Sequence, residues 1–211
     1  MFDGFIFDFD GTLANTSHIY AEVCGVLARR HNFPEPTAQD FAQIREMSLA
    51  QKLRFFKVPS YRLPQLVREA MVLYRQLIET ASPYPGVQTL VWQLAEANKA
   101  CYIVSSNSRE TIQHFLALHD MQQFSRIEGQ ASLFGKHLTL RKIIRQENLT
   151  NQSLIYLGDE IRDIRACRKI DLPVGAVTWG YDSKSLLAKA DPDYLFDQPA
   201  DVLELLEACS R

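Results

Sequence analysis

The chain has 211 residues, enough for one sizeable core or for one core with a small accessory domain. An apolar content of 46% is that of a globular protein, and a formal net charge of -2 excludes the strongly basic field that draws proteins to nucleic acid or to anionic membranes. Four widely spaced cysteines, Cys24, Cys101, Cys167 and Cys209, form no C-x-x-C pair, which speaks against a zinc site or disulfide framework and for free thiols in a reducing compartment.

The N-terminus shows no basic leader and no small-residue cleavage site, and no apolar run approaches the roughly 20 residues that cross a bilayer. A cytoplasmic, soluble protein is expected, monomeric or homodimeric, with neither a membrane nor a nucleic-acid partner. The first predicted element is the strand "GFIFDFD" (4–10). Residues 15–85 then contain no strand-like run. Tyr20, Val23, Cys24, Leu27, Ala28 and His31 recur at helical spacing, as do Leu63, Leu66, Val67, Ala70, Tyr74, Leu77, Ile78 and Ala81, so two amphipathic helices are predicted. Pro34, Pro36 and "SPYPGV" punctuate them. After residue 85, strands and helices alternate. "VQTLVWQLAEANK" precedes the strand "ACYIVSSN" (100–107), and "RETIQHFLALHDM" follows it. "LTLRKIIRQENL" precedes "SLIYLGDE" (153–160); "PVGAVTWG" (173–180) and the weaker "DYLF" (193–196) come last. Short apolar runs alternating with helices predict a doubly wound, Rossmann-like α/β core of parallel strands buried on both faces. The expected organisation is a core of residues 1–14 and 86–211, interrupted by an all-helical domain over 15–85.

Ligands of open α/β sheets bind beyond the carboxyl ends of the strands, so the polar residues there are the candidate site. Asp8 and Asp10 lie two apart on an extended chain and point the same way. Their repulsion calls for a nearby cation, and oxygen ligands without His or Cys suit Mg²⁺. Gly11 allows a sharp turn and Thr12 adds a hydroxyl. Ser105, Ser106 and Asn107 follow a strand and lead into a helix, which makes either an anion site or an ordinary helix cap. Asp159 ends another strand, with Glu160 beside it and Asp163 one turn on; these acids suit either a hard cation or a helix dipole. Lys136, in "LFGKHL", has the charge to neutralise a phosphate and the aspartates, whereas Lys142 sits in the helix-like "LRKIIR". "GQASLFGKH" is no Walker A loop, since five residues separate its glycines and His137 stands where Ser or Thr is required. No G-x-G-x-x-G follows the first strand.

In the order Asp-x-Asp-Gly-Thr, Ser, Lys, Gly-Asp-x-x-x-Asp, on successive units of a parallel sheet, these residues resemble the haloacid dehalogenase superfamily of hydrolases, closest to its small phosphoglycolate-phosphatase-like members. "DFDGTL", "IVSSN", Lys136 and "GDEIRD" look like its four motifs, and the helical block looks like its cap. The resemblance implies a phosphatase of a small phosphorylated metabolite that works through an aspartyl-phosphate. Asp8 would be the nucleophile and Asp10 the general acid and base. Mg²⁺ would be held by Asp8, the Asp10 carbonyl and Asp159, with Asp163 orienting water or Lys136. Ser105, Ser106 and Lys136 would bind the transferring phosphoryl group. An acid at position 10 favours phosphoryl transfer over halide displacement, which has no alkoxide to protonate. A sugar-phosphate mutase is built from the same residues. A phospho-acceptor signalling module fits less well, because its acidic pair is usually adjacent and it lacks a helical insertion. In the cap, "FAQIREMSLAQKL" places Arg45 at a break between helices, where Ser48 is positioned to cap the second; Arg45 there suits a substrate carboxylate or faces solvent.

Overall fold

The computed structural model describes residues 2–47, 49–131 and 135–207. Strand β1 (Gly4–Phe7) is followed by a two-residue strand β2 (Ala14–Asn15) and four helices, α1 (Ser17–His31), α2 (Ala38–Ile44), α3 (Leu49–Phe55) and α4 (Leu63–Leu77). A second two-residue strand, β3 (Ser82–Pro83), closes this block. Then come α5 (Val87–Glu96), β4 (Ala100–Val104), α6 (Arg109–Leu118), β5 (Arg126–Glu128), α7 (Lys136–Gln146), β6 (Leu154–Gly158), α8 (Ile161–Arg168), β7 (Val174–Val177), α9 (Lys184–Lys189) and β8 (Tyr194–Phe196). Two short helices, α10 (Pro199–Val202) and α11 (Glu204–Glu207), follow.

Six strands form one parallel sheet in the order β5-β4-β1-β6-β7-β8. Side chains alternate across it. Phe5, Phe7, Cys101, Ile103, Ile155 and Leu157 bury one face under Val87, Leu90 and Leu94 of α5 and Ile112 and Phe115 of α6. Ile6, Tyr102, Val104, Leu154 and Tyr156 bury the other under Leu140 and Ile143 of α7 and Ile164 and Cys167 of α8. This is the doubly wound, Rossmann-like core that the apolar runs predicted. Each large side chain so buried contributes about 1.5–3 kcal/mol. A one-residue slip of β1 would exchange Phe5 and Phe7 with Ile6 and turn Asp8 to the opposite face, so the core register also aims the site. The Asp8 N–H extends the ladder, donating to Leu157 O at 2.8 Å.

The chain leaves β1 for β4 and β5 on one side, then crosses to β6 on the other. The order therefore reverses at β1, and the carboxyl ends of β1, β4 and β6 open a crevice there. Above it lies the helical block. β2 and β3 pair antiparallel, Ala14 opposite Pro83 and Asn15 opposite Ser82, so the insertion leaves and returns at one place. Between them the described residues form helices and turns only, and α1 packs against α4. The predicted stripes are present but thinly buried: in α4, Leu66 is buried, while Leu73, Tyr74 and Leu77 are partly buried against the edge of the core and Ala70, Met71 and Tyr74 line a cavity.

The strand β5 has no counterpart in the predicted elements. Its "RIE" sequence carries a single apolar residue, and its charged ends serve the sheet edge through an Arg126–Glu128 pair. Cys24, Cys101 and Cys167 are free thiols; Cys209 lies outside the described residues. No helix among the described residues is long and apolar enough to cross a membrane.

Candidate active site

Asp8 and Asp10 stand where β1 ends. Gly11 turns the chain with φ +77°, a conformation open to glycine, and a Cβ there would collide with the Asp159 carboxylate. The turn is closed by the Leu13 and Ala14 N–H groups, both donating to Phe9 O at 2.9 Å.

The two carboxylates have separate partners. Asp8 is buried; Oδ1 accepts from the Phe9 N–H at 2.8 Å and Oδ2 from Lys136 Nζ at 2.8 Å. Burial pushes its carboxyl up and the Lys136 ammonium pulls it back, with Asp163 raising it again, for a net position of about 7. Asp10 is half-buried, and its Oδ1 accepts from Thr16 Oγ1 at 3.1 Å and from the Tyr74 hydroxyl. Its Oδ2 accepts from Asn107 Nδ2 at 3.3 Å. Burial raises this group too, against the lowering effect of those hydrogen bonds.

Lys136 is the first residue of α7 and is buried. Its ammonium has three donors, and all are placed: on Asp8 Oδ2 at 2.8 Å, on Asp163 Oδ1 at 2.6 Å and on Tyr156 Oη at 2.8 Å. Burial works against its charge, but Asp163 and Asp8 outweigh that and hold it above the ordinary lysine range. Lys142 is half-exposed and pairs at 3.6 Å with Glu128 at the sheet edge.

After β4, the capping alternative falls to Ser108, whose Oγ accepts the Thr111 N–H at 3.1 Å. Ser105 and Ser106 are left in the turn. Ser105 is buried with its Oγ accepting the Asn107 N–H at 3.1 Å, and Ser106 lines the cavity that contains Asp10. After β6, Glu160 and Asp163 form a reciprocal cap on α8, so the dipole alternative is met by these two acids. Asp163 Oδ2 accepts the Glu160 N–H at 3.2 Å while Oδ1 holds Lys136. Asp159 is wholly buried and outside that cap; it accepts from Thr12 Oγ1 at 2.9 Å and from the Tyr181 N–H at 2.7 Å. Burial, with Glu160, Asp8 and Asp163 nearby, pushes it well above the carboxylate range.

A cavity of about 670 Å³ lies between these residues and the helical block, lined by Asp10, Ser106, Arg162 and Gly180 below and by Tyr20, Arg45, Lys52 and Tyr74 above. Arg45 caps the carboxyl end of α2 and donates from Nη2 to Gly180 O at 3.1 Å. Ser48 lies outside the described residues. Lys52 is paired with Asp182 at 3.1 Å.

Residues 5–177 match the family described as haloacid dehalogenase-like hydrolase. The chain belongs to this family. Along its whole length this hydrolase is similar to a phosphoglycolate phosphatase of Synechococcus elongatus, 28% identical over 98% of each chain. It is also similar to the pyrophosphatase PpaX of Listeria innocua, 23% identical over 95% of this chain and 94% of the relative. Its fold is similar to that of a haloacid dehalogenase-like family hydrolase from Streptococcus pneumoniae, with TM-score 0.83, 22% identity and coverage of 97% and 98%.

The hydrolase also carries site residues that patterning did not single out. Arg162, inside "GDEIRD", pairs with Glu160 and lies beside the Asp8, Asp159 and Asp163 carboxylates. Tyr156, Tyr74 and Tyr181 supply hydroxyls to the acidic groups or their partners. For Tyr156 and Tyr74 the one signal was a hydroxyl within a strand or stripe that is otherwise apolar; Tyr181, between β7 and α9, gave none. Asp8, Glu160 and Asp163 each offer a carboxylate oxygen, all within 4.8 Å of one another, but Glu160 and Asp163 are taken up by the α8 cap, Arg162 and Lys136, which leaves Asp8 and the buried Asp159 as the carboxylates that suit a hard divalent cation.

Proposed function

We propose that this hydrolase is a Mg²⁺-dependent phosphatase that cleaves small phosphomonoesters through a phosphoryl group carried on Asp8. Residues 1–14 and 86–211 serve as the catalytic core and 15–85 as a cap over the substrate. The observation that carries the reading is the division of labour between the two aspartates: one paired with a buried lysine, the other held by neutral donors at the mouth of the cavity.

An Asp8 carboxylate oxygen attacks phosphorus, forming the Asp8 O–P bond as the ester P–O bond breaks. Asp10 gives its proton to the departing alkoxide. Water then attacks the same phosphorus while Asp10 takes its proton, and Asp8 is released together with inorganic phosphate. Lys136 and the Ser105 hydroxyl bind the transferring oxygens, with the Ser106 N–H. Asp163 keeps the Lys136 ammonium in place. Asp8, the Asp10 carbonyl and Asp159 would hold Mg²⁺, which offsets the repulsion between nucleophile and phosphate. Raised by burial, the Asp8 carboxyl needs such compensation to attack as an anion.

The relatives named above differ in substrate, so the specificity rests on the cavity. Arg45, Lys52 and Arg162 line it; Lys52 is paired with Asp182 and Arg162 with Glu160, which leaves Arg45 as the lining cation outside any ion pair among the described residues. This supports a substrate whose far end is anionic, with Arg45 recognising a carboxylate as phosphoglycolate would present it. Phosphate release across a panel of small phosphomonoesters and pyrophosphate, with Mg²⁺ present, tests the reading. Turnover of small anionic monoesters supports it, and a protein that releases phosphate from none of them is not this enzyme.

A further inference from the structure

Two of the groups on Asp10 come from residues 15–85, and one of them lies on a helix of that block. Tyr74 of α4, 64 residues further along the chain, donates its hydroxyl hydrogen to Asp10 Oδ1. Thr16, beside the β2–β3 crossing, donates to the same oxygen at 3.1 Å. Thr16 has one hydrogen, so its contact with the Tyr181 hydroxyl is one in which Tyr181 donates. The Tyr181 N–H in turn donates to Asp159 Oδ2 at 2.7 Å, and its ring packs on Tyr20 of α1 with centroids 5.8 Å apart. A single run of hydrogen bonds thus joins the helical block, Asp10 and Asp159.

The donor count on Asp10 has a chemical consequence. Oδ1 receives two hydrogens, from Tyr74 and Thr16, and has no room for a third. A proton on this carboxyl must sit on Oδ2, whose one partner among the described residues is the longer 3.3 Å contact from Asn107 Nδ2. Oδ2 is therefore the oxygen free to reach a leaving group. Without the Tyr74 hydroxyl, Oδ1 keeps one donor, and the proton and the carboxyl rotation are no longer fixed.

We propose that Tyr74 is a positioning residue for Asp10: by occupying Oδ1 from the helical block, it places the acid's proton on Oδ2, so the acid is correctly set only while α4 lies over the core. The inference rests on the phosphatase reading, and turnover by the wild-type enzyme tests that reading separately.

The test compares kcat/KM for the best alkyl phosphate of the wild type with kcat/KM for p-nitrophenyl phosphate. This quantity reports the steps through departure of the leaving group, and an alkoxide needs the acid far more than an aryl oxide does. Tyr74→Phe keeps the ring and should lower the alkyl-to-aryl ratio about ten- to a hundredfold, the worth of a hydrogen bond to a charged group. In an Asp10→Asn background the same change should move the ratio by less than about twofold, since the group it positions is gone. A change that lowers both substrates alike, or neither, overturns the proposal, as do losses that multiply in the double variant. Thr16→Val removes the other donor to Oδ1 and gives the same readings should Y74F not fold.

Discussion

Replacing Lys136 by methionine removes the one cation that three buried groups share. Its ammonium lies 2.8 Å from Asp8 Oδ2, 2.6 Å from Asp163 Oδ1 and 2.8 Å from Tyr156 Oη, and both carboxylates are buried. Methionine fills nearly the same volume, so packing changes little and the loss is electrostatic. Breaking a buried pair by removing one partner costs about 3–5 kcal/mol, because the remaining charge has neither water nor a partner. For a chain of this size each kcal/mol moves Tm by about 2–4 °C, so a fall of roughly 6–20 °C is expected in metal-free buffer near pH 8. The deficit should shrink as the pH is lowered. Asp8 already stands at about 7 in the folded protein, against about 3.9 in an unfolded chain. The folded state therefore binds the proton first, stability falls as pH rises through that window, and a protonated Asp8 no longer needs the lysine. Adding Asp163→Asn to Lys136→Met should restore part of the lost stability but none of the activity. Circular dichroism melts from pH 5 to 9 in EDTA, with the wild type and the two variants side by side, make the measurement. A deficit under about 1 kcal/mol, or one that grows towards low pH, would refute the reasoning.

Activity should vanish in EDTA and return with Mg²⁺, while Ca²⁺ should not restore it, because its looser and higher coordination spoils in-line geometry. Phosphate release by the metal-free protein at the full rate would remove Asp159 from its assigned role. Arg45→Ala should raise KM for a carboxylate-bearing phosphomonoester about ten- to a hundredfold, in line with one charged hydrogen bond, and leave p-nitrophenyl phosphate nearly unaffected. Equal kinetics on both substrates would leave Arg45 with a structural role, holding the Gly180 carbonyl.

The parts legible in the sequence are those governed by local rules. Strands buried on both faces read as unbroken apolar runs, and "FIF", "CYIV" and "LIYL" became β1, β4 and β6 for that reason. The polar residues that end them fell beside one another because strand order reverses at β1. What escaped detection depends on contacts between distant parts of the chain. β5 has one apolar residue and exists because β4 needed a partner at its edge. Tyr74 lies in the apolar stripe of α4, and nothing in the spacing of that helix shows that its hydroxyl meets a carboxylate 64 residues away. Arg162 sits within a quoted motif, yet a lone arginine beside acids reads as a solvated helix residue until the fold buries it in a pair with Glu160 and within the field of the site's aspartates. The choice between capping and anion binding after β4 also needed the structure, which gave the cap to Ser108.

The central claim is that Asp8 carries the phosphoryl group, and it can be read directly. Asp10→Asn keeps the nucleophile but removes the base for the second step, so the intermediate should accumulate. The variant is mixed with p-nitrophenyl phosphate and Mg²⁺, quenched in acid, digested, and its peptides are weighed. One phosphoryl group on the peptide containing Asp8, localised to that side chain and absent from Asp8→Asn, is the predicted result. Turnover with no phosphorylated peptide, or with the group on any other residue, would contradict the account.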